Sequence, residues 1–395
     1  FTVTGSDMQS SDMTKHLEET GAKVVIGQKA ENITDDIDLV VYTAAIHESN
    51  EEFAAAKNKG VPMMTRAALL GQIMANFAKS IAVAGTHGKT TTTSMLTHIL
   101  LQADTDPTVS VGGMLDRIGG NIRVGHSDLF LTEACEYTNS FLHFFPKIGV
   151  ILNIDEDHLD FFKDLADIRN SFHRFAKLLP KDGTLVINDN IPDLEEITAD
   201  LDCRVIRYGN DSSLDYSATN ILHDKKGEAS FDLVKSGEFI DRISLSVNGD
   251  HNVSNALAAI AIGLRYDVPM SAIKAQLSTF SGQRQNIIHV NDYILIDDAY
   301  NASPDSMKAS LSILSEFKTR GRKIAVLSDM LELGPDSPEY HKEVGRFIAT
   351  TKVTDLFITG ELSRHYIEEA WKENPSLHTR AFSSNGELIA FLETY

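Results

Sequence analysis

Short apolar runs alternate with amphipathic stretches along most of the chain, and this alternation predicts an α/β protein built on parallel sheets. Near the start, Lys23 to Ile26 and Asp38 to Tyr42 are expected strands, Phe1 to Asp7 is the end of another, and Thr14 to Thr20 and Glu51 to Lys59 are expected helices. That order has a Rossmann-like rhythm. Further on, Ile81 to Ala84 and Asp128 to Thr132 are expected apolar strands, and Ile148 to Ile154 is another expected strand. Met95, Leu96, Ile99 and Leu100 fall at helical spacing, and the alanine-rich run Ala256 to Ile262 predicts a helix small enough in cross-section to lie close on a sheet.

The stretch Ile81 to Thr93 carries the clearest chemistry. A strand empties into Gly85-Thr86-His87-Gly88-Lys89-Thr90, and a helix follows at once. In a strand–turn–helix unit the backbone N–H groups of the turn and the positive end of the helix dipole converge where phosphate oxygens can sit. Lys89 adds a full charge, and the Thr90 hydroxyl is suited to a Mg2+ site. The full phosphate-loop pattern has a further glycine where Val83 stands, so this is a tighter G-x-x-G-K-T variant. Gly85, Thr86, His87, Gly88, Lys89, Thr90 and Thr91 are therefore the expected nucleotide-binding residues.

Two later strands end in acids. Asp128 to Thr132 leads into Glu133-Ala134-Cys135-Glu136, and Ile148 to Ile154 leads into Asp155-Glu156-Asp157-His158-Leu159-Asp160. Both ends lie on the sheet edge that holds the phosphate loop, where parallel sheets bind ligands. Glu133 and His158 are the candidate Mg2+ ligands, because Mg2+ takes few protein groups and keeps waters and substrate oxygens. Asp155, Asp157 and Asp160 are expected to cap the helix that follows. Asn252 and Asn255, at the start of the alanine-rich helix, can each donate and accept as a purine edge requires. Asp7, at the tip of the first strand, faces a ligand or solvent equally well.

Composition narrows the classes. A chain of 395 residues is too long for one core and implies two or three domains. Its net charge of -20 argues against a nucleic-acid surface, and no apolar run approaches the roughly 18 residues of a membrane span. Cys135 and Cys203 are too few and too far apart for a disulfide framework, which points to a reducing, cytoplasmic setting. The chain does not begin with Met, and its natural beginning is expected to lie upstream.

Taken together, Gly85 to Thr93, Glu133 to Glu136, Asn153 to Asp160 and Gly249 to Asn255 resemble the Mur ligases, ATP-dependent enzymes that build the peptidoglycan stem peptide. The resemblance implies three domains of α/β class: a Rossmann-like UDP-sugar domain at 1–79 with an incomplete start, a central P-loop ATP domain at 80–282, and a Rossmann-like acceptor domain at 283–395 with an incomplete end. Thr86-His87 in the phosphate loop is similar to the subgroup that joins L-alanine to UDP-N-acetylmuramate, and Gly5-Ser6-Asp7, Ala45-Ile46 and Arg66-Ala67 agree with its sugar domain.

By the same resemblance, ATP and Mg2+ are the cofactors, and UDP-N-acetylmuramate with an amino acid or dipeptide are the partners. Lys89, Glu133, His158 and Arg284 are implied catalytic residues, with Thr90, Glu133 and His158 on metal. Arg284 is implied to reach the phosphates, Asp298 the ribose and Asn252 the adenine. Asp7, Tyr300, Asn301 and Ser303 would lie near substrate. Members acting on later intermediates carry a modified lysine where Phe172 stands here, which fits the alanine-adding subgroup.

The last segment departs from this pattern. Asp297 to Pro304 and Ala325 to Gly334 are similar to the Mur ligase that adds D-alanyl-D-alanine, and paired histidines are missing near Asn301 and Ser303. The alternatives are thus a dipeptide-adding ligase, a folylpolyglutamate synthase of the same superfamily, and a non-catalytic sensor of cell-wall precursors.

Overall fold

The computed structural model describes the chain apart from residues 226, 282–285, 291, 292, 300, 301 and 332, and apart from the side chains at 12, 286, 287, 289, 305 and 335. Its first part holds β1 (Thr4–Asp7), α1 (Asp12–Glu19), β2 (Lys23–Ile26), β3 (Val40–Tyr42), α2 (Glu51–Lys59), β4 (Met63–Thr65) and α3 (Arg66–Met74). The strands pair in parallel as β1 with β2 and β3 with β4. The strand expected from Asp38 shortens to Val40–Tyr42, and β4 and α3 are additions to the expected elements. Thr65 begins α3 by accepting from the Ala68 N–H.

The middle of the chain runs β5 (Lys79–Ala84), α4 (Lys89–Gln102), β6 (Thr108–Leu115), β7 (Gly120–Arg123), β8 (Leu129–Glu133), β9 (Ile148–Ile151), α5 (Leu165–Ala176), β10 (Thr184–Asn188), α6 (Glu195–Thr198) and β11 (Arg204–Gly209). It continues through β12 (Tyr216–His223), β13 (Glu228–Lys235), β14 (Glu238–Asn248), α7 (Asp250–Arg265) and α8 (Met270–Leu277). One ten-stranded sheet joins the strands in the order β14-β13-β12-β11-β10-β9-β5-β8-β6-β7. From β12 across to β6 neighbouring strands are parallel. Helices cover both faces, so β5 is apolar throughout its inner length. Ile81 and Val83 point into the core shared with α4 and α7, and Ala82 and Ala84 into the opposite core with Phe141, Phe172 and Phe175. β5 lies between β9 and β8, which sets the phosphate loop beside the ends that carry His158 and Glu133.

The last part holds the hairpin β15 (Asn286–Val290) with β16 (Tyr293–Asp297), then α9 (Pro304–Glu316), β17 (Ile324–Leu327), α10 (Ser337–Thr350), β18 (Asp355–Thr359), α11 (Arg364–Glu373), β19 (His378–Phe382) and α12 (Asn385–Leu392). β17, β18 and β19 form a parallel sheet under α10 and α11.

His341 on α10 is fully buried, donates from Nδ1 to the Ser337 carbonyl at 2.7 Å, accepts at Nε2 from the Met330 N–H at 3.0 Å, and stacks on Tyr366. Burial holds its pKa below the ordinary 6.5. Because the folded value is depressed, the neutral ring's contribution is complete above pH 6.5 and is lost as pH falls below it. Denaturant titrations between pH 7 and pH 5 should show stability falling towards acid with a slope of up to about 1.4 kcal/mol per pH unit from one proton. His341→Gln should remove that part of the slope.

Candidate functional site

Gly85 and Gly88 both take left-handed dihedrals, with φ of 143° and 82°. A side chain at Gly88 would press on the Asn255 amide, whose Oδ1 lies 2.5 Å from the position a Cβ would occupy, so glycine is required there by space as well as by conformation. Asn153, at the end of β9, holds the loop: its Oδ1 accepts from the His87 N–H at 2.7 Å and its Nδ2 donates to the His87 carbonyl at 3.0 Å. The Asp155 N–H donates to the Thr86 hydroxyl at 2.9 Å. Gly88 caps α4 without any side-chain acceptor, leaving the helix's first N–H groups to face the loop.

Inside this loop Lys89 is largely buried. Its ammonium donates to the carbonyls of Gly85 at 2.6 Å and Thr86 at 3.0 Å, and to both oxygens of Glu136 at 2.9 and 3.1 Å. Burial opposes the charge, but Glu136, Cys135 and Glu133 outweigh it and hold the ammonium above the ordinary lysine value. The same burial and the neighbouring Glu136 push the Cys135 thiol up, so it stays protonated and unreactive.

The Thr90 hydroxyl donates to Glu133 Oε2 at 3.1 Å, and Glu133 Oε1 accepts from the Gly112 N–H on β6 at 2.6 Å. His158 lies across the cavity in a left-handed conformation, with φ of 53°, and its ring stacks on Tyr137 at 4.5 Å. The Tyr137 hydroxyl donates to Asp160 at 2.9 Å. Arg66 on α3, Ser303 at the start of α9, Lys89, Thr90, Glu133 and His158 all border a cavity of about 360 Å³. Among the described residues no group of three or more His, Cys, Asp or Glu side chains gathers as a metal cage. A hydroxyl beside one carboxylate, with an imidazole opposite, fits a hard cation that keeps waters and phosphate oxygens rather than one held wholly by protein.

The other expected residues are placed less directly. Asn255 donates to Asn252 at 3.1 Å and Asn252 donates to the Asn248 carbonyl at 2.7 Å, so the two amides form a chain that ends against Gly88. Thr91 lies half-buried in the first turn of α4, and Asp298 accepts from the Ser310 hydroxyl. Ser303 is buried as the cap of α9, sharing a capping box with Ser306. Asp7 is exposed and accepts from the Gln9 N–H. Arg284, Tyr300 and Asn301 lie outside the described residues.

One expectation is corrected. The cap of α5 is Asp164, which accepts from the Asp167 N–H at 2.9 Å, and not Asp155, Asp157 or Asp160. Asp155 instead braces the phosphate loop, Asp157 accepts from the His158 N–H, and Asp160 takes the Tyr137 hydroxyl.

Comparison with known proteins matches three family models along the chain: the Mur ligase family catalytic domain at residues 1–78, the Mur ligase middle domain at 83–263 and the Mur ligase glutamate ligase domain at 283–394. The UDP-N-acetylmuramate–L-alanine ligase of Agathobacter rectalis is 53% identical over 320 residues, covering 80% of this chain and 70% of that protein. That of Lachnospira eligens is 52% identical over 321 residues, with the same coverage of 80% and 70%. The chain belongs to the Mur ligase family. Among solved structures, the UDP-N-acetylmuramate-alanine ligase MurC of Thermotoga maritima superposes with a TM-score of 0.77 at 25% identity, covering 96% of this chain and 84% of that one. MurF of Acinetobacter baumannii shares the fold, with a TM-score of 0.69 at 22% identity over 92% of this chain and 86% of that one.

In this Mur ligase three contributors to the site escape local sequence reasoning. Glu136, Tyr137 and Asn153 each act on a residue far away along the chain: Glu136 on Lys89, Tyr137 on His158, and Asn153 on His87. Glu136 and Asn153 stand inside motifs quoted above and Tyr137 directly follows one, and residue type alone discloses none of their partners.

Proposed function

We propose that this protein is an ATP- and Mg2+-dependent carboxylate–amine ligase that joins L-alanine to the lactyl carboxylate of UDP-N-acetylmuramate in the cytoplasm, during peptidoglycan precursor synthesis. The reading rests on about 50% identity to proteins of that name together with one observation: the phosphate loop, the Thr90–Glu133 pair and His158 border a single cavity. No helix among the described residues is long and apolar enough to cross a membrane. In this reading residues 1–79 take the UDP-sugar, 80–282 take ATP, and 283–395 present the amine.

A carboxylate acylates poorly until it is phosphorylated, and the acyl phosphate then yields to an amine. The protein's task is to position and to stabilise charge. Lys89 is proposed to offset charge on the terminal phosphates from inside the loop. The N–H groups at the start of α4 would hold phosphate oxygens beside it. Thr90 and Glu133 would hold one Mg2+ and His158 a second; when bound, such ions supply electrostatic stabilisation of the transferring phosphoryl group. The third part of the chain meets the central one at a second cavity of about 420 Å³, bordered by His87, Asp155 and Arg169 on one side and Lys308 and Tyr340 on the other. Tyr340 donates to Glu156 across that junction at 3.4 Å. Closure there would exclude water from the acyl phosphate.

A second reading, a ligase that adds D-alanyl-D-alanine, is favoured by the motifs Asp297 to Pro304 and Ala325 to Gly334. Phosphate release from ATP with Mg2+ separates the two. UDP-N-acetylmuramate is paired with L-alanine, glycine or L-serine, and the UDP-linked tripeptide with D-alanyl-D-alanine, with mass spectrometry of each product. Release that depends on L-alanine is expected. Release only with the dipeptide would transfer the assignment to the second reading, and silence with every acceptor would favour a precursor-binding relative without ligase activity.

A further inference from the structure

We propose that Glu136 is a positioning residue of the phosphate loop, which holds Lys89 in place before nucleotide arrives and competes with the terminal phosphates of ATP for its ammonium. This rests on the reading of the loop as an ATP site. The Glu136 side chain is 2% exposed, against 16% for that of Lys89, so the pair is screened little by solvent. An ammonium has three N–H donors, and Lys89 already faces four acceptors: two loop carbonyls and both Glu136 oxygens. Phosphates can therefore reach the lysine only by displacing or sharing these contacts. A carboxylate with two oxygens on the ammonium occupies the electrostatic role that a phosphate later takes.

The backbone around Glu136 is built to keep it there. Just beyond Tyr137, Thr138 and Asn139 both adopt left-handed dihedrals, with φ of 54° and 57°, an unfavourable conformation for two successive residues with side chains. The surrounding bonds enforce it. The Asn139 N–H donates to the Glu136 carbonyl at 2.8 Å, the Phe141 N–H donates to the Cys135 carbonyl at 3.0 Å, and the Ser171 hydroxyl on α5 donates to the Asn139 side chain. Phe141 is fully buried and stacks on Phe175, which ties this turn to the core. The turn thus fixes the backbone that carries the carboxylate through bonds that do not involve the lysine.

Without the carboxylate, nucleotide no longer has to displace a counter-ion or approach a buried negative charge, and the lysine is held less firmly during transfer. Glu136→Gln should tighten ADP binding by roughly 5- to 10-fold, the lower range of coupling between two sites. AMP, which has no phosphate to reach the lysine, should bind unchanged. With ATP and the ligase substrates, KM for ATP should fall while kcat falls by up to about 10²-fold, as misplaced catalytic groups do.

Calorimetric titration of the full chain with ADP and AMP reads the binding arm directly. Tightening for ADP alone is expected. Unchanged or weakened ADP binding, or an equal change for AMP, would overturn the proposal and leave Glu136 a counter-ion of the fold. If the unaltered protein bound no ADP, the nucleotide reading would fall and this proposal with it. Should Glu136→Gln lose its helical signal, Glu136→Asp, which keeps the charge but withdraws it by one methylene, is expected to tighten ADP by roughly 2-fold, a smaller coupling of the same kind; no tightening there would overturn the proposal equally.

Discussion

Lys89→Ala is expected to abolish ATP turnover, with phosphate release falling by about 10³-fold or more, the scale on which single cations act in phosphoryl transfer. The lysine is the cation that lines the interior of the loop, where it bonds the Gly85 and Thr86 carbonyls and faces Glu136. Its removal also leaves the Glu136 carboxylate buried beside an empty place. Breaking a buried pair by deleting one partner costs up to about 3–5 kcal/mol, so the melting temperature of Lys89→Ala should fall even though its circular dichroism spectrum is retained. The double variant Lys89→Met/Glu136→Gln removes both charges and should recover much of that melting temperature while turnover stays absent. Turnover retained by Lys89→Ala, or restored in the double variant, would show that the lysine acts through the fold and not on the phosphates.

The same arrangement explains how far the sequence could be read. β5, β8 and β9 are legible because each is buried on both faces along its middle and so carries a run of mostly apolar residues there. The glycines of the phosphate loop were legible because left-handed turns and close approach leave few other residues possible. β4 and α3 are not: Met63–Thr65 is short and runs straight into the helix, and α3 is apolar almost all round, so it shows no helical stripe. The start of α5 is not legible in this way, because several acids precede it and any could cap. The choice falls on Asp164 because the His158 carbonyl first closes a turn with the Phe161 and Phe162 N–H groups, which delays the helix. Glu136 stood in plain view beside Glu133, yet its partner is 47 positions away, and no periodicity or spacing rule connects the two. Such pairings belong to the sheet order, which sets β5 between β8 and β9 and so decides which distant side chains meet.

His158→Ala is expected to raise the Mg2+ concentration needed for half-maximal turnover by about 10-fold, comparable with the lower end of losses when a metal's surroundings are altered. The reason is placement. His158 lies opposite the Thr90–Glu133 pair across the cavity, and its ring is fixed by the stack on Tyr137, whose hydroxyl is tied to Asp160. The backbone at this position is left-handed, a conformation that histidine and asparagine tolerate better than alanine. His158→Ala thus adds a conformational cost that has nothing to do with metal. His158→Asn separates the two effects, because it suits the backbone and lacks the imidazole. If the ring serves Mg2+, both variants should shift the Mg2+ titration to a similar extent while only alanine lowers the melting temperature markedly. A shift confined to alanine would trace the effect to the backbone, and an unchanged titration in both would remove His158 from the proposed metal site and leave Thr90 and Glu133 as the candidate ligands.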